Sequence, residues 1–304
     1  MHASAIFSLS LSLYFQNVYF VLDCRQPPEI SLTSIFAGNR DEFLERPTAR
    51  AHFWDEPHQD VLAGTDLEVN LADRHLKNGT WLGITRQGRF SALTNYRETN
   101  YTGTLSRGFL VRDFLWGKAS VQESMETVEK QMQDYGGFSL LYFDFSKEPT
   151  EMAYLSNRKN QPIINLNTKE VYGVSNSILS EPWPKVQMGK ELFEKIIQEY
   201  DGHNETDLMN ALFELLSTTK PMSNVQDVDQ IFADLKERIC IPKFDWPKSL
   251  NLKDYTYGTR TSTIVLIDHQ GHVTFVERLW HDKETFSPAN PNHFNDIIFH
   301  FDLV

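Results

Sequence analysis

The stretch Phe36-Ala-Gly-Asn-Arg-Asp-Glu-Phe-Leu-Glu-Arg-Pro47, FAGNRDEFLERP, sets four polar residues behind the apolar run Leu32–Ala37. The run is short and reads as a buried strand. Asn39, Arg40, Asp41 and Glu42 then stand where that strand is expected to end. Two readings compete. A solvated turn would use such side chains to cap local backbone amides, whereas a site would hold an amide, a guanidinium and carboxylates together. Neighbours along a strand point to opposite faces, so at most one of Asp41 and Glu42 joins Arg40.

Working outward, more strands are expected on both sides. Val18–Leu22 is a short apolar run, and Thr80–Thr85 and Phe90–Asn95 flank Arg86-Gln-Gly-Arg89, a hairpin connection. Phe138–Phe145, Met152–Leu155 and Val171–Ser175 continue the series, and Thr263–Ile267, Val273–Leu279 and Ile297–Phe301 close it. Helical spacing appears in Val121, Met125, Val128 and Met132, in Phe193, Ile196, Ile197 and Tyr200, and in Leu208, Leu212 and Leu215. Strands at both ends with helices between them predict layered sheets covered by helices, an α+β fold and not a doubly wound parallel sheet. No repeat, low-complexity linker or charge block divides the chain, so one domain is expected.

The 304 residues carry a net charge of -12, which argues against a nucleic-acid partner. An anionic ligand would need a local cluster of Arg or Lys. Arg46, Arg50, Arg107 and Arg112 are candidates for that cluster or for plain surface charge. Ala5–Phe15 is apolar but falls short of the roughly 20 residues that span a bilayer, and MHAS before it carries no Lys or Arg. No integral membrane insertion is expected. Cys24 and Cys240 form neither a metal-type spacing nor a disulfide framework. Cys240 reads as a small buried apolar residue, and His269 and His272 read as solvated side chains, so no metal is expected.

Further motifs lie at the expected strand ends: Gly79-Thr-Trp81-Leu-Gly83, Ala92-Leu-Thr-Asn95-Tyr, Ser106-Arg107-Gly, Tyr172-Gly-Val-Ser175-Asn176, Pro182-Trp-Pro-Lys and Tyr257-Gly-Thr259-Arg260-Thr. Each alone is ordinary turn chemistry. Together with Asn39, Arg40, Asp41, Glu42, Arg46 and Pro47 they make the chain resemble the Transport and Golgi organisation 2 family, also called the NRDE family, from about Asn17 to the C-terminus. That family is similar to the N-terminal-nucleophile (Ntn) hydrolases. The resemblance implies an Ntn-hydrolase-like αββα sandwich, two antiparallel sheets between helix layers, spanning residues 16–304. Residues 1–15 would then be an extension outside the family pattern, expected to add nothing to the core. Either the protein has lost catalysis or, as the abrupt end of the resemblance favours, a mis-chosen first exon stands where a Met-Cys start would join Asn17.

In the resembled hydrolases a nucleophile at the mature N-terminus attacks a carbonyl, with its own amine as base. Their constellation is similar to Arg40, Asp41, Asn95, Asn176 and Arg260, which are therefore expected to converge on one pocket. The gapless alignment puts Gln16 in the nucleophile position, and Gln is no nucleophile, so the chain as written is not expected to be catalytic. The resemblance implies a cytoplasmic factor, in some members Golgi- or mitochondria-associated, that supports Golgi organisation and protein secretion through a small ligand such as haem or an acyl-CoA. Its alternatives are a cysteine amide or thioester hydrolase whose nucleophile is missing here, and a non-catalytic interaction scaffold.

Overall fold

The computed structural model describes residues 16–23, 31–68, 78–98, 103–221, 228–246, 255–281 and 295–304. Cys24 and residues 1–15 lie outside the described residues. Fourteen strands and five helices are described. The first six strands are β1 (Gln16–Asp23), β2 (Leu32–Phe43), β3 (Thr48–Phe53), β4 (Val61–Asp66), β5 (Leu82–Thr85) and β6 (Arg89–Asn95). Helices α1 (Gly108–Trp116) and α2 (Val121–Gln131) follow. Then come β7 (Phe138–Asp144), β8 (Glu151–Ser156), β9 (Ile164–Asn165) and β10 (Tyr172–Val174). Helices α3 (Pro184–Glu199), α4 (Glu205–Leu216) and α5 (Val228–Lys236) precede β11 (Phe244–Asp245), β12 (Thr256–Asp268), β13 (His272–Leu279) and β14 (Asn295–Asp302).

The strands form two seven-stranded antiparallel sheets. One runs β10-β1-β2-β12-β13-β14 with β11 added to β12, and the other is the meander β3 to β9. Strand alternation decides what lies between them. Tyr19 and Val21 of β1, Phe36 of β2 and Val265 of β12 point inward, against Ile84, Phe90, Leu141 and Phe143 of the meander. The alternate residues Val18, Phe20, Ile35, Ala37 and Ile264 point outward, under Val186, Phe193, Leu208 and Leu212 of α3 and α4. On the other side α1 and α2 cover the meander through Leu110, Phe114, Met125 and Val128. The result is the layered α+β fold expected from the sequence, in the four-layer sandwich that the family resemblance implies.

Local chemistry explains the helix ends. Ser120 and Glu123 form a reciprocal capping box at the start of α2. Pro184 opens α3 at its first turn, where a missing N–H costs nothing. Gly189 within α3 has a packing reason. A Cβ there would lie 2.0 Å from the ring of buried Phe20, so Gly189→Ala should destabilise by about 1–3 kcal/mol although alanine is the better helix former. Chemical denaturation checks this, and Phe20→Leu in the same chain should recover part of the loss.

One expectation fails. β2 does not end at Ala37 but continues to Phe43, with all twelve residues buried. Asn39 to Glu42 sit inside the strand, all within the β12 pairing on one side, with Asn39 to Asp41 also paired to β1 on the other. Neither solvated turn nor strand end describes them. The periodicity signal is lost there because each polar side chain is buried against a specific partner.

A cationic pocket between the sheets

Alternation sends Arg40 and Glu42 to the inter-sheet side, and Asn39 and Asp41 to the helix side. Arg40 lies with its guanidinium 4.0 Å from the centroid of the Trp81 ring and donates from Nη2 to Glu42 Oε2 at 2.8 Å. Glu42 Oε1 also accepts from the Phe43 amide at 2.7 Å, and Arg46 Nε stands 3.7 Å from Oε2. Arg46 in turn pairs with Asp66 and Glu68. Burial pushes the Glu42 carboxyl up to about 7, although Arg40 and Arg46 pull the other way.

Arg260 enters the same space by a backbone irregularity. Thr259 of β12 pairs with Asp41 and Thr261 with Arg40, leaving Arg260 as the extra residue of a β-bulge. A bulge re-aims side chains, and here Arg260 and Thr261 both face the pocket. Arg260 donates from Nη1 to the Arg46 carbonyl at 2.6 Å. Burial and the neighbouring Arg40 charge lower the Arg260 pKa to about 10. The cavity, about 200 Å³, is lined by Arg40, Trp81, Arg260 and Thr261, with Arg50 and Glu277 paired across it at 2.9 Å. The buried Thr261 hydroxyl has no hydrogen-bond partner.

The other expected members lie elsewhere. Asp41 faces the helices, where it accepts from Thr259 Oγ1 at 2.6 Å and stands 3.8 Å from Lys185 Nζ. Burial raises its pKa to about 6, partly offset by Lys185, Thr259 and Arg40. Burial also lowers the Lys185 pKa. Asn95 and Asn176 form a clasp between the sheets. Asn176 Nδ2 donates to the Asn95 carbonyl at 2.7 Å, and Ser175 Oγ donates to the Asn17 carbonyl at 2.7 Å. Asn17 is paired opposite Arg40, and Gln16 opposite Asp41. Of the expected five, Arg40 and Arg260 line this cavity, while Asp41, Asn95 and Asn176 are not among its lining residues.

The remaining residues singled out in the sequence have contacts of their own, and His272 stays exposed as expected. Cys240 is half-buried, and burial with Asp41 nearby pushes its thiol up to about 12. Arg107 donates to the Gly137 carbonyl, and Arg112 stacks on Phe109 and Trp116, so neither belongs to the pocket. His272 is held by Asp268 at 2.8 Å. Among the described residues no group of His, Cys, Asp and Glu could hold a metal ion. A Cβ on Gly79 would make ordinary contact with the Phe109 ring at 3.8 Å, whereas one on Gly83 would meet Leu115 of α1 at 2.7 Å. Sequence reasoning missed Thr261, Glu277 and Lys185 as members of these networks. Lys185 was visible only as the last residue of a Pro-Trp-Pro-Lys motif.

These features define a four-layer α+β protein with a small cationic pocket between its sheets. The family model described as Transport and Golgi organisation 2 matches residues 20–282, and the chain belongs to that family. It is 32% identical over 269 residues to the mouse Transport and Golgi organization 2 homolog, covering 88% of this chain and 94% of the relative. It is 26% identical over 288 residues to the Drosophila melanogaster Transport and Golgi organization protein 2, covering 91% and 96%. Among solved structures, a Caenorhabditis elegans N-acylethanolamine-hydrolyzing acid amidase ortholog matches with a TM-score of 0.43 and 13% identity, over 82% of this chain and 92% of that one. A conjugated bile acid hydrolase from Clostridium perfringens matches with a TM-score of 0.40 and 10% identity, over 94% and 96%. Correspondences of that size leave the chemistry to be read from this chain's own residues.

Proposed function

We propose that this chain is a non-catalytic member of its family that supports Golgi organisation and protein secretion from the cytoplasm by binding an anionic group between its sheets. The pairing of Arg40 with Arg260 carries this reading. Both guanidiniums line one cavity of about 200 Å³, and the unpartnered Thr261 hydroxyl adds a donor beside them. Such a cluster favours a carboxylate or a phosphate. The family resemblance assigns the nucleophile position to Gln16, which has no group that could attack a carbonyl. No helix among the described residues is long and apolar enough to cross a membrane.

Size limits the ligand. A cavity of about 200 Å³ is smaller than the roughly 300–1,000 Å³ that enclose a whole drug-sized molecule. It suits the phosphate of an acyl-CoA or a propionate of haem, with the rest of the molecule outside. Titration of the purified protein with sulfate, followed by calorimetry, tests the pocket. Arg260→Ala should weaken sulfate about tenfold or more, the value of one charge-assisted hydrogen bond. Equal affinity in the variant would overturn the reading.

A further inference from the structure

Glu42 is buried directly behind the cation that lines the pocket. Its Oε2 takes the Arg40 Nη2 hydrogen bond at 2.8 Å, so the carboxylate neutralises one of the two guanidiniums an anion would use. The other charged groups around it are already committed. Arg46 stands 3.7 Å away but is held by Asp66 and Glu68. Arg260, on β12, senses Arg40, Glu42, Glu277 and Glu45. Asp41 lies on the opposite face of β2 with Lys185. Glu42 is thus the one carboxylate hydrogen-bonded to Arg40 among the described contacts.

We propose that Glu42 is a proton-operated gate on the anion pocket, holding Arg40 neutralised when ionised and releasing it to an anionic ligand when protonated. This rests on the pocket reading above. The gate needs no backbone movement, because Arg40 already lies along Trp81 and faces the cavity. Linkage makes the effect reciprocal: an anion that binds better to the protonated form must also draw a proton onto Glu42. Burial places the Glu42 transition at about 7, within reach of the pH differences between cell compartments.

Sulfate is the probe, since its charge is constant over the range used. The wild-type chain should bind it roughly tenfold more tightly at about pH 5.5 than at about pH 8, a coupling within the usual span for linked sites. Calorimetry near pH 7 in buffers of different ionisation heat should show proton uptake on binding. Glu42→Gln keeps the acceptor oxygen for the Phe43 amide but removes the charge. It should bind sulfate with nearly equal affinity at both pH values, close to the wild type in acid. A variant that keeps the full pH dependence, or a wild type that takes up no proton, would overturn the gate while leaving the pocket intact. Absence of sulfate binding at either pH would overturn gate and pocket together.

Discussion

Replacing Lys185 by Met should cost about 3–5 kcal/mol of stability at about pH 8, the usual result of stripping one partner from a buried ion pair. Lys185 is fully buried at the start of α3, and Asp41 lies beneath it in β2. Their separation of 3.8 Å is an ion pair and not a hydrogen bond, and neither Lys185 Nζ nor Asp41 Oδ2 has a hydrogen-bond partner. Two imperfectly satisfied charges in an apolar layer gain little net energy together. Removing one alone leaves the other uncompensated. The double variant Asp41→Asn with Lys185→Met, which strands no charge, should therefore be more stable than either single change. Urea denaturation of all four chains measures the coupling. Additive costs would show that the two side chains do not sense each other.

The same pair predicts a pH dependence whose sign is opposite to ordinary acid denaturation. The Asp41 carboxyl is raised from 3.8 to about 6 in the folded chain, so the folded state holds the proton more tightly. Its contribution is fully present below about 3.8 and is lost as pH rises through about 6. Each tenfold difference in proton affinity between folded and unfolded chain is worth roughly 1.4 kcal/mol. Glu42 behaves alike, between 4.5 and about 7. In Lys185→Met the Asp41 rise should be larger, so the variant's deficit should shrink on acidification to about pH 5.

How much of this was legible in the sequence depends on which force sets each element. Strands with apolar faces, such as Phe90–Asn95 and Val273–Leu279, were visible because burial of alternate residues imposes their period. Helices α2, α3 and α4 were visible because burial of one face imposes a period of about 3.6 residues. The polar half of β2 was not. Asn39 to Glu42 are buried by partners that lie far away in the chain, including Lys185, Ile239 and Ser262. No local pattern encodes those. The β-bulge at Arg260 was equally hidden, since Gly258-Thr-Arg-Thr261 reads as a turn until the pairing register is known. Arg40 and Arg260 could be singled out as functional candidates by family resemblance, whereas the split of Asp41 onto the other face follows from strand alternation alone.

Asn39 should prove the most demanding residue of its motif for stability and the least relevant to the pocket. Its Nδ2 donates to the carbonyls of Leu216 at 2.8 Å and Ile239 at 2.9 Å, and its Oδ1 accepts from Ser262 Oγ at 2.5 Å. Leu216 is the last residue of α4, whose carbonyl has no partner within its own helix. One amide therefore fixes a helix end, a loop and strand β12 at once. Asn39→Ala strands two buried carbonyls, while Ser262 Oγ keeps its bond from Trp280 Nε1 at 2.7 Å, and should destabilise by about 2–6 kcal/mol, at 1–3 kcal/mol per orphaned group. Asn39→Asp separates this from simple loss of volume. Aspartate keeps the acceptor for Ser262 but sets an oxygen against two carbonyl oxygens, so it should be at least as damaging as alanine despite its near-identical shape. Denaturation midpoints decide between them, and an Asn39→Asp chain as stable as the wild type would mean that the amide is not oriented by those carbonyls. Because Asn39 points to the helices and Arg40 to the pocket, whatever fraction of Asn39→Ala remains folded in the cold should bind sulfate with unchanged affinity. A parallel loss of binding in that folded fraction would instead tie the two faces of β2 into one functional unit.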